Sequence, residues 1–409
     1  MVLFYNISIW FYGVAIRTAS LFNNKARQWV SGRKNIFANI SDALKGDEKI
    51  VWFHVSSLGE FEQGRPVIEG FKEKYPDYKI LLTFFSPSGY EIRKDYKGAD
   101  YIFYLPIDSK RNASLFIDIV QPKIVFFVKY EFWFHYLNLL KKRSIPTYIF
   151  SAIFREKQLF FKWYGGWYRK MLTFFNKIYV QNQESKDLLA SINITKVEVA
   201  GDTRFDRVYA LAKNAAPINL IAQFANSGFV VIAGSTWEKD EEIIARYAHK
   251  YPDKIKWIIA PHEIHKSHIA KIEALFKLPT LKFSDADTQN IQQTNILIID
   301  SIGILSSLYR YGKISYIGGG FGKGIHNTLE AVTYGLPVIF GPNYKRFKEA
   351  CDLINISSGY PISNFHEFET TINTLVGDEA HRQKAGKLAS SYVDSMRGGT
   401  KTILSQACL

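Results

Sequence analysis

The sequence predicts an α/β protein built from two doubly wound parallel-sheet domains, with a membrane-anchoring helix in front of them. Three observations predict it. Short, wholly apolar runs alternate with helix-compatible stretches, and the alternation occurs twice. The chain has 409 residues, more than one typical domain holds. Its first sixteen residues carry no charge.

The opening MVLFYNISIWFYGVAI is followed by Arg17, Lys25, Arg27, Arg33 and Lys34, and no acid precedes Asp42. A spanning helix needs roughly 20 apolar residues, and Asn6, Ser8 and Gly13 interrupt this shorter run. A secretory signal would place its positive charge first. The order here, with Trp10, Tyr12 and several Phe, suits a helix lying at a membrane surface whose anionic lipid meets the basic residues. A buried N-terminal helix is the plain alternative.

From residue 50 the first half offers apolar runs at 50–55, 79–85, 123–128, 147–150 and 177–180. The second offers 229–234, 256–261, 295–300, 313–318 and 337–340. Continuous apolar strands separated by helices imply parallel sheets covered on both faces. The expected division is an N-terminal segment at 1–40, a domain at 41–206, a connector at 207–228 and a domain at 229–409, the two domains facing a cleft. Ligands of such sheets sit beyond the C-terminal strand ends.

Composition narrows the class. A hydrophobic content of 47% suffices for sizeable cores, and a net charge of +14 calls for an anionic partner: lipid, nucleic acid or a phosphorylated substrate. No RRM, KH or helix-turn-helix signature supports nucleic acid. Two cysteines, Cys351 and Cys408, form no CxxC and suggest no disulfide framework, which fits a reducing compartment.

The richest loop is GGGFGKGIHNTLEAVTYGLPVIFGP, 318–342. Its glycines, Gly320 among them, would let backbone approach a phosphate, and a helix is expected to start near His326–Asn327 and present free N–H groups. Glu330 would accept hydrogen bonds from a ribose diol. Ser235 and Thr236 are placed to cap the following helix or bind phosphate, Pro261–His262 to meet a phosphate or base edge, and Ile302, Gly303 and Ile304 to offer backbone to a base. In the first half, Ser57, Gly59 and Glu60 follow a strand. Glu60 is either a general base for a hydroxyl nucleophile or a carboxylate complementing the helix dipole, with Glu62 equally eligible. Ser88 and Gly89 form a second anion-compatible turn. Glu131 follows a fully apolar strand, and Arg204 lies in DTRFD at the domain junction; each is a site residue or half of a structural ion pair.

Together SSLGE (56–60), SPSGYE (86–91), YLPID (104–108), EFW (131–133), GDTRFD (201–206), AGSTWE (233–238) and HNTLEA…GLPVIFGP (326–342) make the chain similar to the 3-deoxy-D-manno-octulosonic acid (Kdo) transferases of lipopolysaccharide synthesis. The resemblance spans nearly the whole chain. It implies a GT-B fold and an inverting, metal-independent and cofactor-free transfer of Kdo from CMP-Kdo to a lipid A precursor. The work would be done at the cytoplasmic face of the inner membrane, and no nucleic acid would be involved. It implies Glu60 as general base, with Glu131 and Arg204 helping the transition state. CMP contacts are implied at Pro261–His262, Ile302–Ile304 and Asn327, Thr328, Leu329 and Glu330, so that 41–206 binds the acceptor and 229–409 the CMP-sugar. Departures are His262–Glu263 in place of Arg-His, Lys129 in place of an acid, Arg204 in place of Lys, Ile304 in place of Glu and Ile325 in place of Gly. A UDP-sugar transferase of the same fold, or a non-catalytic membrane-surface protein, are the rival readings.

Overall fold

The structure, a computed structural model, describes residues 1–226 and 228–407; Ser227, Cys408 and Leu409 lie outside the described residues, and with them the expectation for Cys408. The chain forms two compact units: Met1–Arg207 together with the segment from Arg397 onward, and Val208–Met396.

In the first unit seven parallel strands run in the order β3-β2-β1-β4-β5-β6-β7 among the described residues. They are β1 (Lys49–Val55), β2 (Tyr78–Phe84), β3 (Tyr101–Tyr104), β4 (Ile124–Val128), β5 (Thr147–Ala152), β6 (Lys177–Val180) and β7 (Val197–Val199). Alternate side chains explain why the central strands read as unbroken apolar runs. Trp52, Leu81, Val125, Phe127 and Ile149 face one core, and Val51, Phe53, Leu82, Phe126 and Phe150 face the other.

The second unit repeats the plan with β8 (Val230–Thr236), β9 (Lys256–Pro261), β10 (Thr280–Lys282), β11 (Ile296–Ile298), β12 (Ile314–Ile317), β13 (Val338–Phe340) and β14 (Gly359–Pro361), ordered β10-β11-β9-β8-β12-β13-β14 and all parallel. Each expected strand is present. Four strands, β3, β7, β10 and β14, had no counterpart in the pattern, and all four are sheet edges. Two further differences concern ends. The connector is helical, with helices at Arg204–Asn214 and Asn219–Asn226. The expected domain at 229–409 loses its last part, because helix Gly399–Gln406 places Ile403, Leu404 and Ala407 in a core of the first unit.

The N-terminal helix Val2–Ala19 docks on the first unit by one side. Tyr5 Oη donates to the buried Asp108 at 2.5 Å, and Gly13 sits against Ile107. The opposite side leaves Leu3, Phe4, Trp10 and Phe11 each at least 60% exposed. Among the described residues no helix is long and apolar enough to cross a membrane.

Candidate active site

In the first sheet β1 pairs with both β2 and β4, and the strand order reverses between β1 and β4. That is the switch point at which loops part and leave room for a ligand. The loop after β1 carries Glu60, and the loop after β4 carries Glu131. Ser57 begins the helix Leu58–Lys74, and Glu60 lies in its first turn, where its Oε2 accepts from Ser56 N–H at 2.6 Å. That bond and the ammonium of Lys129 favour the ionised carboxylate. Burial opposes them most strongly, and the neighbouring charge of Glu131 adds to it, so the Glu60 carboxyl is pushed up to about 7. Glu60 thus satisfies a backbone N–H at the helix end, and its carboxyl is raised into the range where it can exchange a proton near neutrality.

Glu131 is 6% exposed. Its Oε2 lies 3.0 Å from His54 Nε2 and accepts from Trp133 Nε1 at 2.6 Å. His54, fully buried near the end of β1, reaches Thr83 Oγ1 at 2.9 Å through Nδ1, and Trp52 Nε1 donates to the same hydroxyl at 2.8 Å. Lys129 holds φ +66°, a left-handed conformation that a side chain rarely adopts, and this turns the chain out of β4 toward Glu131.

The turn at 86–89 lies beside this loop, since Ser86 N–H donates to Ser56 O at 2.7 Å. Ser88 and Gly89 thus lie in the turn next to the one that carries Ser57 and Gly59. A Cβ on Gly89 would meet the Phe84 ring at 2.4 Å and Leu58 N at 3.1 Å, so packing demands that glycine. Gly59 faces open space. Arg204 binds Asp202: Nε and Nη2 both lie 2.8 Å from Oδ2, and Gln63 Nε2 reaches the same carboxylate at 3.3 Å. This is the ion pair at the junction that the sequence left open.

In the second unit the loops after β8, β9, β11 and β12 hold the remaining expected residues. Three rings stack there. Trp237 and His262 have centroids 4.9 Å apart, His262 and His326 are 4.3 Å apart, and Trp237 Nε1 donates to His326 Nε2 at 3.0 Å. Burial, and then His262, push His326 down to about 4, so it is neutral near pH 7. Asn327 Nδ2 donates to Glu330 Oε1 at 3.0 Å, and its Oδ1 accepts from Leu329 N–H at 3.1 Å. The helix begins at Leu329, three residues after His326 and two after Asn327, with Thr328 at the cap position and Asn327 Oδ1 accepting from the first helical N–H. Thr328 and Leu329 are fully buried. Ile302 is 85% exposed, Gly303 has φ +94°, and Ile304 precedes the short helix Leu305–Leu308.

Two expectations change here. Neither Ser235 nor Thr236 caps the helix Glu238–Lys250: β8 runs on to Thr236, and Trp237 takes the cap position with its N–H given to Asp240 Oδ2 at 3.0 Å. The Thr236 hydroxyl is buried and donated to Glu241 at 2.9 Å. The glycines also have a prior duty. A Cβ on Gly318 would lie 2.2 Å from Ser235 O, and one on Gly320 2.6 Å from the Gly341 backbone. Asp240, which the sequence reading passed over, accepts from Gly319 N–H at 2.9 Å and Tyr316 Oη at 2.7 Å and so pins the start of the glycine loop. An acid three residues into a helix that follows a strand was the available signal.

The sequence profile described as 3-Deoxy-D-manno-octulosonic-acid transferase (kdotransferase) matches residues 31–207. The 3-deoxy-D-manno-octulosonic acid transferase of Aquifex aeolicus is 25% identical over 366 residues, covering 87% of this chain and 95% of that protein. The transferase of the same name from Chlamydia muridarum is 26% identical over 386 residues, covering 90% and 87%. Among solved structures, UDP-GlcNAc 2-epimerase from Neisseria meningitidis bound to UDP-GlcNAc superposes with TM-score 0.60 at 16% identity, covering 87% of this chain and 98% of its own, a likeness of fold.

Proposed function

We propose that this chain, which matches the Kdo transferase family over residues 31–207, is a glycosyltransferase that transfers Kdo from CMP-Kdo to a phosphorylated lipid A precursor, with Glu60 as general base. The observation that carries the reading is the Glu60 carboxyl. It stands at the switch point of the first sheet and is held near 7 by burial and Glu131. A base of that strength is half-ionised at neutral pH and still strong enough to take a proton from a sugar hydroxyl.

The acceptor hydroxyl gives its proton to Glu60 as its oxygen bonds to the anomeric carbon of Kdo. The bond from that carbon to the phosphate oxygen breaks, and its electron pair leaves with CMP. The configuration inverts. In the second unit Asn327 and Glu330 are disposed to hold the ribose, while the ring face of Trp237 and His262 suits the base. His262 stands where the family carries arginine, and stacked on His326 it offers a polar ring edge rather than a fixed cation. Arg204 has its charge shared with Asp202, so its help to developing negative charge is a smaller share of the proposal.

For the lipid side, a groove of about 1050 Å³ is lined by the apolar Ile7, Ile9, Trp10 and Phe37 and by the exposed cations Arg17, Lys34, Lys110 and Arg111. An acyl chain with an attached phosphate matches that pairing. The exposed apolar side of helix Val2–Ala19 suits a membrane surface.

Purified protein given CMP-Kdo and lipid A precursor should yield product heavier by one or more Kdo units. A panel of UDP-sugars in the same assay separates the alternative donor. Glu60→Gln should bind CMP-Kdo with unchanged affinity and lose transfer by about 10²–10⁴-fold. Normal turnover in that variant sinks the assignment of the base.

A further inference from the structure

We propose that His54 is a positioning residue: a one-way chain of hydrogen-bond donors, Trp52 to Thr83 to His54 to Glu131, fixes its tautomer and holds Glu131 as an oriented carboxylate beside Glu60. This rests on the reading of Glu60 as base.

The direction of the chain follows from counting donors. Trp52 Nε1 can only donate, and it lies 2.8 Å from Thr83 Oγ1. The Thr83 hydroxyl proton has two possible acceptors, His54 Nδ1 at 2.9 Å and Phe53 O at 3.4 Å, and the shorter contact wins. Nδ1 then carries the lone pair and Nε2 the proton. Trp133 Nε1 lies 3.2 Å from His54 Nε2 and 2.6 Å from Glu131 Oε2 and donates by the shorter contact to the carboxylate, so Nε2–H points at the same oxygen, 3.0 Å away. Each donor of this relay has an acceptor, and His54 Nε2–H and Trp133 Nε1–H converge on one carboxylate oxygen. The other oxygen, Oε1, has no hydrogen-bond partner among the described residues. The opposite tautomer would donate from Nδ1 to Thr83 O at 3.1 Å and set the Nε2 lone pair against the carboxylate.

An ionised Glu131 is what Glu60 feels. The groups facing Glu60 are Glu131 and Lys129 beyond β4, Tyr130 between them, and the N–H groups of Ser56 and Ser57 from its own loop. Of these, Glu131 is the one other carboxylate, and it is the neighbour whose charge raises Glu60.

Nitrogen NMR of the protein with labelled histidine reads the tautomer without any substrate, and carbon NMR of labelled glutamate reads the Glu60 titration. Wild type should show His54 protonated at Nε2 only. Thr83→Val removes the hydroxyl and should switch the proton to Nδ1; His54→Leu removes the last donor. In both, Glu131 loses a donor that orients its carboxylate beside Glu60, and the Glu60 midpoint falls by half a pH unit or more. Turnover should drop about 10–100-fold, the range seen when such supporting partners are lost, with the affinity for CMP-Kdo within twofold. His54→Gln, whose amide can donate to Glu131, should recover part of both. An Nδ1–H tautomer in wild type overturns the proposal, and so do folded Thr83→Val and His54→Leu proteins with an unmoved Glu60 midpoint. If wild type transfers no Kdo while the tautomer and midpoint behave as stated, the donor assignment fails and the positioning role stands.

Discussion

At the scale of single residues the site is a matter of which charges can see each other. The Glu60 carboxyl is held near 7 by burial first and by Glu131 second. As the base must be ionised, kcat/KM should rise with pH through about 7 and level off above it. Glu131→Gln removes the repelling charge, so the rising limb should move to lower pH even as the plateau falls; a limb that stays put would separate Glu131 from Glu60. Glu60 itself was legible, since a carboxylate after a strand at the head of a helix is a pattern. His54 was not. Within IVWFHV it reads as one more core position, and only the packing of β1 against β2 and β4 reveals partners on both ring nitrogens. Asp240 was hidden among four acids in EKDEE, of which the fold buries Asp240 and Glu241. Asp240→Ala would strand the N–H groups of Trp237 and Gly319 and the Tyr316 hydroxyl. It should cost about 3 kcal/mol or more in thermal or urea unfolding and weaken nucleotide binding.

At the scale of elements, what the pattern revealed depended on burial. Strands covered on both faces, such as β1 and β4, are unbroken apolar runs. The edge strands β7, β10 and β14 are three residues each and partly exposed, so no run marks them. The glycine loop was legible as a loop and misleading as to cause. Backbone already presses on Gly320, while Gly322 has only Gly319 O at 3.6 Å. Gly320→Ala should therefore destabilise by about 1–3 kcal/mol, and Gly322→Ala should be tolerated; calorimetric melting of the pair checks the contrast. The N-terminal helix offers a second test. Tyr5→Phe keeps the ring and loses the bond to Asp108, leaving that buried carboxylate one donor short. Hydrogen exchange of residues 2–19 should quicken about 5–10-fold, as expected for a bond worth about 1 kcal/mol, with the rest of the first unit unchanged.

At the scale of the whole molecule, two α/β units were legible from the doubled alternation of strands and helices. The return of the chain was not, because the segment from Arg397 looks like any amphipathic helix. What assigns it to the first unit is specific. Asp206 accepts from Gly398 N–H and Thr400 N–H, both at 2.7 Å, and Lys74 Nζ donates to Leu404 O at 2.8 Å. Ending the chain after Met396 uncovers the core around Phe71 and Phe126. The truncated protein should melt with its first unit several degrees lower and its second unit unchanged, read by two-transition calorimetry.

That return also sets an order of events during synthesis. The helix Val2–Ala19 leaves the ribosome before the second unit, and the segment from Arg397 that completes its own unit leaves after it. At about 5–20 residues per second the wait is some tens of seconds. Throughout it the first unit lacks one wall of its core while its apolar, aromatic leading helix is already free to meet lipid. Exposure of that helix and closure of the first unit are thus separated in time, and a surface that bound the helix early would hold the open core away from other unfinished chains.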